Sequence, residues 1–201
     1  MIKLYYAPGA CSQAAHILLH ETRLPHTSEA VNVRNKTRAD GSDYFAVNPK
    51  GAVPALELDG GEVLTENGAV LQYIGDQAKD GVLLPTSGLP RYRVIEWVSH
   101  LGSDVHKSFS PLFNPASSDE MKTAARETVA KKLDYVERQL EGRDYLAGDS
   151  MTVADPYLFA MLGWTGNVGL DLARWPNLSA FRQRMMQRES VQAVLKAEGL
   201  A

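Results

Sequence analysis

The pattern of apolar residues changes once along the chain, and this change constrains the fold more than any other feature. Before residue 79, short apolar runs alternate with helical stretches in the order strand, helix, strand, hairpin, helix. Residues 79–89 are rich in glycine, proline and serine, which is typical of a linker. Helical periodicity alone follows. The sequence therefore predicts an α/β unit over 1–78 in βαβ-ββα order, a linker over 79–89 and an all-helical unit over 90–201.

Cys11 is the only cysteine in the chain, and it lies in a predicted strand-to-helix turn. An apolar run over residues 2–6 predicts a buried strand, Pro8-Gly9 ends that strand, and a helical pattern starts at Ser12. Free backbone N–H groups and the helix dipole favour an anion at such a turn and lower the pKa of a thiol there. A lone cysteine is also a common buried apolar residue, so the turn alone leaves both interpretations open.

A second group of informative residues lies between positions 48 and 74. Asp59-Gly60-Gly61 joins two short apolar runs and predicts a β-hairpin. Val53-Pro54 precedes the first run, where a cis bond would leave the Val53 backbone open to pair with a ligand. Glu66-Asn67 opens the next predicted helix, whose first N–H groups and capping side chain form an anion site. These positions lie at strand ends and helix N-termini, where ligands gather in α/β folds.

The predicted helical half contains two polar motifs. His106-Lys107 ends a predicted helix, and the simplest interpretation is that two cations favour the helix C-terminus. Thr152 and Asp155 have the spacing of a capping box before an apolar run, which predicts a buried central helix. We expect Asp155→Ala to lower the free energy of unfolding by ~1–2 kcal/mol.

The composition excludes several classes of partner. The net charge is −3 and there is no basic block, which argues against nucleic acid. No apolar run approaches ~18 residues, so no membrane span is predicted. The N-terminal pattern of a secretory leader is not seen, and we expect a cytoplasmic protein.

Two histidines on the first predicted helix raise the question of a metal. His16 and His20 lie four residues apart, a spacing that can hold a metal ion. No third ligand is evident beside them. The sequence therefore predicts no metal site.

Five segments together resemble the cytosolic glutathione transferases, most closely the bacterial beta class. They are YYAPGACS at 5–12, NPKGAVPALEL at 48–58, TENGAV at 65–70, HKSFSPLF at 106–113 and MTVADPYLF at 151–159. The resemblance implies a thioredoxin-like N-terminal domain that binds glutathione as co-substrate. It also implies an all-helical C-terminal domain with a hydrophobic substrate site, a homodimer and an enzyme of detoxification.

The resemblance also implies which residues bind glutathione. Val53, before a cis-Pro54, would pair its backbone with the cysteinyl part, and Lys36 would reach the glycine carboxylate. Glu66 and Asn67 would hold the γ-glutamyl group. Asn67 departs from the serine that many members have there, although an amide can still donate and accept.

Further residues are implied around the glutathione sulfur and the dimer. Cys11 would lie beside that sulfur, with His106 and Lys107 facing it from the helical domain. Ser103 would cross the dimer interface toward the partner's glutathione. Ser99 stands where some beta-class members have asparagine, which leaves that contact between subunits open.

Three functions are compatible with this resemblance. In the first, the glutathione thiolate attacks a hydrophobic electrophile that packs against Phe109, Phe113 and Trp164, although each is also a candidate for ordinary core packing. In the second, Cys11 forms a mixed disulfide with glutathione, as in a thiol–disulfide oxidoreductase or a reductive dehalogenase. In the third, the protein binds ligands without catalysis. Isomerases of the family are disfavoured because their serine-rich motif is not evident.

Overall fold

The computed structural model describes residues 1–78 and 81–201, so the first two positions of the predicted linker lie outside the described residues. The sheet has the order β2-β1-β3-β4. Its strands are β1 (Ile2–Tyr6), β2 (His26–Ala30), β3 (Ala55–Glu57) and β4 (Val63–Thr65). β1 pairs in parallel with β2, whereas β3 pairs antiparallel with both β1 and β4. The predicted βαβ-ββα fold is therefore confirmed.

Two helices complete the N-terminal half. α1 (Gln13–Glu21) connects β1 to β2, and α2 (Asn67–Asp76) follows β4. α1 is rich in alanine and leucine, which favour helix, and its residues Gln13 to Leu19 are all buried. This burial on every side follows because α1 packs against α2 and also against the helical half.

The predicted hairpin between β3 and β4 is confirmed. The Gly61 N–H donates to the Leu58 carbonyl at 2.8 Å, and the Leu58 N–H donates to the Glu62 carbonyl at 2.8 Å. Gly61 has a φ of +81°, which a glycine adopts without the steric cost of a side chain. The Val53–Pro54 bond just before β3 is cis.

The C-terminal half is helical throughout. Its helices are α3 (Gly88–His100), α4 (Ser110–Phe113), α5 (Asp119–Gln139), α6 (Asp155–Trp164), α7 (Pro176–Met186) and α8 (Glu189–Ala197). α3 continues directly into a π-helical segment, Leu101–His106. None of the helices described is long and apolar enough to cross a bilayer.

α6 is the buried centre of this half, and Asp155 fixes its start. The Asp155 carboxylate accepts from the Thr152 N–H at 2.7 Å, the Thr152 hydroxyl at 2.9 Å and the Leu146 N–H at 2.9 Å. The capping-box prediction is thus correct for the acid but not for the threonine, whose hydroxyl donates to the carboxylate. Burial raises the pKa of Asp155 to about 6.

The helical half holds the turn that precedes α1. The Trp164 indole N–H donates to the Gly9 carbonyl at 2.7 Å. The buried Glu198 carboxylate, just after α8, accepts from the Gly9 N–H at 2.9 Å and from the Gln13 amide at 3.1 Å. The N–H and the carbonyl of Gly9 are therefore both held by residues more than 150 positions away in the sequence.

Candidate active site

A cavity of about 300 Å³ lies between the edge of the sheet and the π-helical segment. Six of the residues predicted to form the site line it: Cys11, Val53, Pro54, Glu66, Asn67 and His106. They come from four separate parts of the chain. The structure therefore brings six of the twelve predicted site residues together in one cavity.

The turn before α1 positions Cys11 at one end of this cavity. The Ser12 hydroxyl, fully buried, accepts from the Ala7 N–H at 3.1 Å and closes the turn. Cys11 lies within this turn and has a half-buried side chain. Its Sγ donates to the Val53 carbonyl at 3.2 Å. The thiol thus faces the backbone that precedes the cis-proline.

The Cys11 thiol does not have the low pKa that its position predicts. Burial raises the pKa of Cys11 to about 11, although the backbone N–H groups of Cys11 and Ser12 act in the opposite direction. Removing a thiolate from water outweighs the effect of the helix N-terminus here. In the free chain, Cys11 is a neutral thiol at pH 7.

His106 faces the same cavity from the helical half. Its Nδ1 lies 2.8 Å from the Tyr157 hydroxyl. Burial lowers the pKa of His106, so the imidazole is neutral at pH 7. Burial also raises the pKa of Tyr157, which keeps its hydroxyl protonated. The interpretation of His106 as a simple helix-capping cation is therefore wrong, since its ring is held by a side chain of α6.

The N-terminus of α2 forms the opposite end of the cavity. Glu66 precedes the helix with a φ of +70°, and no side chain caps the helix, contrary to the sequence expectation. Asn67 donates through Nδ2 to the Cys11 carbonyl at 3.2 Å. Its Oδ1 is buried and has no hydrogen-bond partner among the described residues. Free N–H groups beside an unpaired acceptor suit a ligand with both an anionic and a donor group.

Lys50 is a cavity residue that the sequence analysis missed. Its ammonium lies 2.5 Å from Glu66 Oε1 and 3.1 Å from the Thr65 hydroxyl. The carboxylate at the start of α2 is therefore paired with an exposed cation. Lys50 stands in the Asn-Pro-Lys-Gly turn at residues 48–51, at the start of a segment that carries the family resemblance. Its position in that segment is the sequence signal that could have identified it as a site residue.

Three predicted binding residues are not among those that line the cavity. Lys36 lies nearby and donates from Nζ to the Gly51 carbonyl at 2.7 Å. Ser103 is exposed on the π-helical segment, and its hydroxyl donates to the Ser99 carbonyl at 2.9 Å. Lys107 is exposed.

The three predicted substrate-contacting aromatics form one cluster beside His106. The Trp164 ring lies 4.9 Å from the His106 ring, 5.3 Å from Phe109 and 5.7 Å from Phe113. Phe109 is fully buried, whereas Phe113 is 51% exposed. Phe109 is therefore a buried part of this cluster, whereas Phe113 offers a ring that a ligand can reach.

The chain is similar over its length to proteins of one family. The glutathione S-transferase N-terminal domain matches residues 9–77, and the glutathione S-transferase C-terminal domain matches residues 104–189. Glutathione S-transferase GstA of Escherichia coli O157:H7 is 45% identical over 200 residues, which covers 99% of this chain and 100% of that protein. The disulfide-bond oxidoreductase YfcG of Escherichia coli K12 is 26% identical and covers 98% of this chain and 96% of that protein.

Solved structures give the same result. A sphingomonad glutathione S-transferase in complex with glutathione has 49% identity and a TM-score of 0.95, covering 99% of this chain and 100% of that one. The bacterial beta-class glutathione S-transferase of Sphingomonas chungbukensis has 49% identity and a TM-score of 0.96 over the same shares of the two chains. The resemblance predicted from the sequence is confirmed.

Proposed function

The chain belongs to the glutathione S-transferase family, and on that premise we propose that it is a glutathione transferase whose cavity beside Cys11 binds glutathione. The observation that carries the assignment of the site is the pairing of two features in one cavity. One end holds the uncapped α2 N-terminus and the unpaired Asn67 Oδ1. The other end holds Cys11 and His106.

Glutathione is amino-acid-like at its γ-glutamyl end, and this matches the α2 end of the cavity. Its α-carboxylate would accept from the first N–H groups of α2. Its α-ammonium would donate to Asn67 Oδ1 and to the Glu66 carboxylate. The cysteinyl backbone would then lie against Val53. Lys36 and Lys50 would supply positive charge for the glycine carboxylate.

In this orientation the glutathione sulfur lies between Cys11 and His106. A neutral Cys11 thiol can turn from the Val53 carbonyl and donate to a sulfur anion. When the Tyr157 hydroxyl donates to His106 Nδ1, the His106 Nε2–H is also available as a donor. Two donors aimed at one sulfur stabilise its thiolate, which then attacks the electrophile and releases the leaving group.

The electrophile would pack against the aromatic cluster beside His106. Phe113 offers an exposed ring there, and Trp164 and Phe109 hold it in place. Dimerisation, a cytoplasmic location and a role in detoxification are further parts of this proposal. They rest on the family resemblance, which also assigns the exposed Ser103 to a contact across the dimer interface and the exposed Lys107 to the surroundings of the glutathione sulfur.

The alternative function is reduction of disulfides through a Cys11–glutathione mixed disulfide. The similarity to a disulfide-bond oxidoreductase and the position of Cys11 in the cavity favour it. With a pKa of about 11, however, roughly one Cys11 in ten thousand is a thiolate at pH 7. Attack by Cys11 would therefore be slow in the free chain.

Conjugation of glutathione to a chloronitrobenzene, compared in the wild type and Cys11→Ser, tests this proposal. We expect kcat/KM to change by about tenfold or less, because the nucleophile belongs to glutathione. A glutathione-dependent disulfide assay on the same two proteins is the matched control. Loss of both activities in Cys11→Ser would favour the redox function. A wild type that binds no glutathione would contradict the proposal.

A further inference from the structure

Three histidines converge on the side of α1 that faces β2, away from the proposed glutathione cavity. They are His16 and His20, one helical turn apart on α1, and His26, the first residue of β2. One nitrogen of each lies within 4.8 Å of the other two. The sequence expectation that no third ligand is near is therefore wrong. We propose that this three-histidine cluster binds a divalent transition-metal ion such as Zn²⁺.

Two of the rings already have the hydrogen bonds that a metal ligand needs. The Nδ1 of His26 lies 2.7 Å from the Leu24 carbonyl, which can only accept, so the lone pair is on Nε2. The Nδ1 of His16 lies 2.9 Å from the Glu198 carboxylate. Glu198 also accepts from the Gly9 N–H and the Gln13 amide. These two bonds go to Glu198 Oε2, whereas His16 faces Oε1; when Oε1 accepts the His16 Nδ1–H, Nε2 is the nitrogen left to bind an ion.

The partners of His16 and His26 are those that metal-ligating histidines have. A ligating imidazole usually donates its second ring N–H to a carboxylate or a carbonyl, which fixes its orientation and raises its basicity. His16 and His26 show one partner of each kind. No hydrogen bond joins the three rings to one another, although their centroids lie 5.1 to 6.3 Å apart. The rings meet through tilted and edge-to-face contacts, which leave their nitrogens close together.

The third ring, His20, is suited to complete the site. It is half-buried and lines an open cleft of about 620 Å³. Arg188 also lines this cleft but is paired with Glu21. Burial and the neighbouring His16 and His26 lower the pKa of His20.

The donor set indicates the class of ion. Three imidazoles, with no carboxylate or thiolate in the cluster among the described residues, suit Zn²⁺, Cu²⁺ or Ni²⁺ and do not suit Ca²⁺ or Mg²⁺. Zn–N bonds of about 2.0–2.1 Å require donor atoms somewhat closer than 4.8 Å, a gap that small rotations of the half-buried His20 and His26 rings can close. Water would occupy the fourth position.

A bound ion would tie the N-terminal half to the C-terminus. It would join α1 to β2 directly, and through His16 and Glu198 it would reach the end of α8. Because the ion binds the folded chain and not the unfolded one, it should raise the melting temperature.

Titration of chelator-treated protein with Zn²⁺, and with Co²⁺ as a spectroscopic probe, tests the site. We expect one ion per chain in the wild type and a Co²⁺ spectrum without a thiolate charge-transfer band. His20→Gln and His26→Gln should each weaken binding by more than about tenfold. They should also remove the rise in melting temperature that Zn²⁺ causes. Both residues are half-exposed, and circular dichroism confirms the fold of each variant independently.

Two control variants test whether the ion binds instead at another histidine or at the thiol. His100→Gln removes a histidine outside the cluster, one that lies beside Asp104, and Cys11→Ser removes the chain's thiol. Both should bind Zn²⁺ as the wild type does. The proposal is overturned if the wild type binds no ion, or if binding survives both cluster substitutions. Loss of binding in Cys11→Ser would also overturn it, by placing the ion at the thiol.

Discussion

At Cys11, burial and the helix N-terminus act on the same thiol in opposite directions, and burial is the larger effect. Its pKa is raised to about 11 rather than lowered. Alkylation by iodoacetamide should therefore be slow at pH 7 and should accelerate toward pH 11, as the thiolate fraction rises. The unfolded chain is the control, because its thiol should titrate near the ordinary pKa of about 8.5. Rapid alkylation of the folded chain below pH 8 would contradict this assignment.

Asn67 gives the clearest indication of a ligand, because it has a buried acceptor that a ligand could satisfy. Its Oδ1 is buried and has no partner in the part of the chain that the structure describes. Asn67→Ala should weaken glutathione binding by about 5- to 100-fold, the value of one or two hydrogen bonds in a buried site. Calorimetric titration measures the change. The exposed Asn35→Ala is the matched control, and an equal affinity in both variants would remove Asn67 from the site.

At the scale of single elements, α6 depends on one buried carboxylate. Asp155 is fully buried and accepts three hydrogen bonds, which is more than a capping box alone provides. Asp155→Ala would leave these donors without a partner, and we expect a loss of roughly 2–4 kcal/mol in the free energy of unfolding. Urea denaturation measures it. The exposed Asp149→Ala should change stability by less than about 0.5 kcal/mol.

Local patterns predicted most elements because their causes are local. The Asp-Gly-Gly turn and the apolar run of β1 act within a few residues, and both predictions are confirmed. The failures at this scale concern capping. A capping side chain was expected at the start of α2, but Glu66 makes no capping hydrogen bond there. It is paired instead with Lys50, an ion pair that no local pattern reveals.

At the scale of the whole molecule, the two halves meet closely at Gly75 in α2. A Cβ atom built there would lie 2.6 Å from Val153 Cγ1 and 2.9 Å from Leu84 Cβ. Gly75→Ala should therefore destabilise the protein by about 1–3 kcal/mol, despite the better helix propensity of alanine. Thermal unfolding measures it. Gly68→Ala in the same helix is the control, because its Cβ would meet nothing closer than 3.6 Å.

The sequence alone could not reveal the long-range contacts that form the Cys11 cavity and the three-histidine cluster. The resemblance placed Cys11, Glu66 and His106 in one cavity, because it carries three-dimensional information from the family. The bond from Glu198 to Gly9, and the meeting of His16 with His26, arise only when α8 and β2 pack around α1. The pKa of Cys11 depends on the same packing, so the turn alone could not decide whether it is raised or lowered.

A crystal structure of the protein with glutathione tests the central claim most directly. The account predicts glutathione in the cavity with its α-ammonium on Asn67 Oδ1 and its sulfur facing Cys11 and His106. The two sulfur atoms should be in contact but not bonded. Density for a disulfide to Cys11 would contradict the claim that glutathione itself is the nucleophile. Glutathione bound outside this cavity would contradict the site.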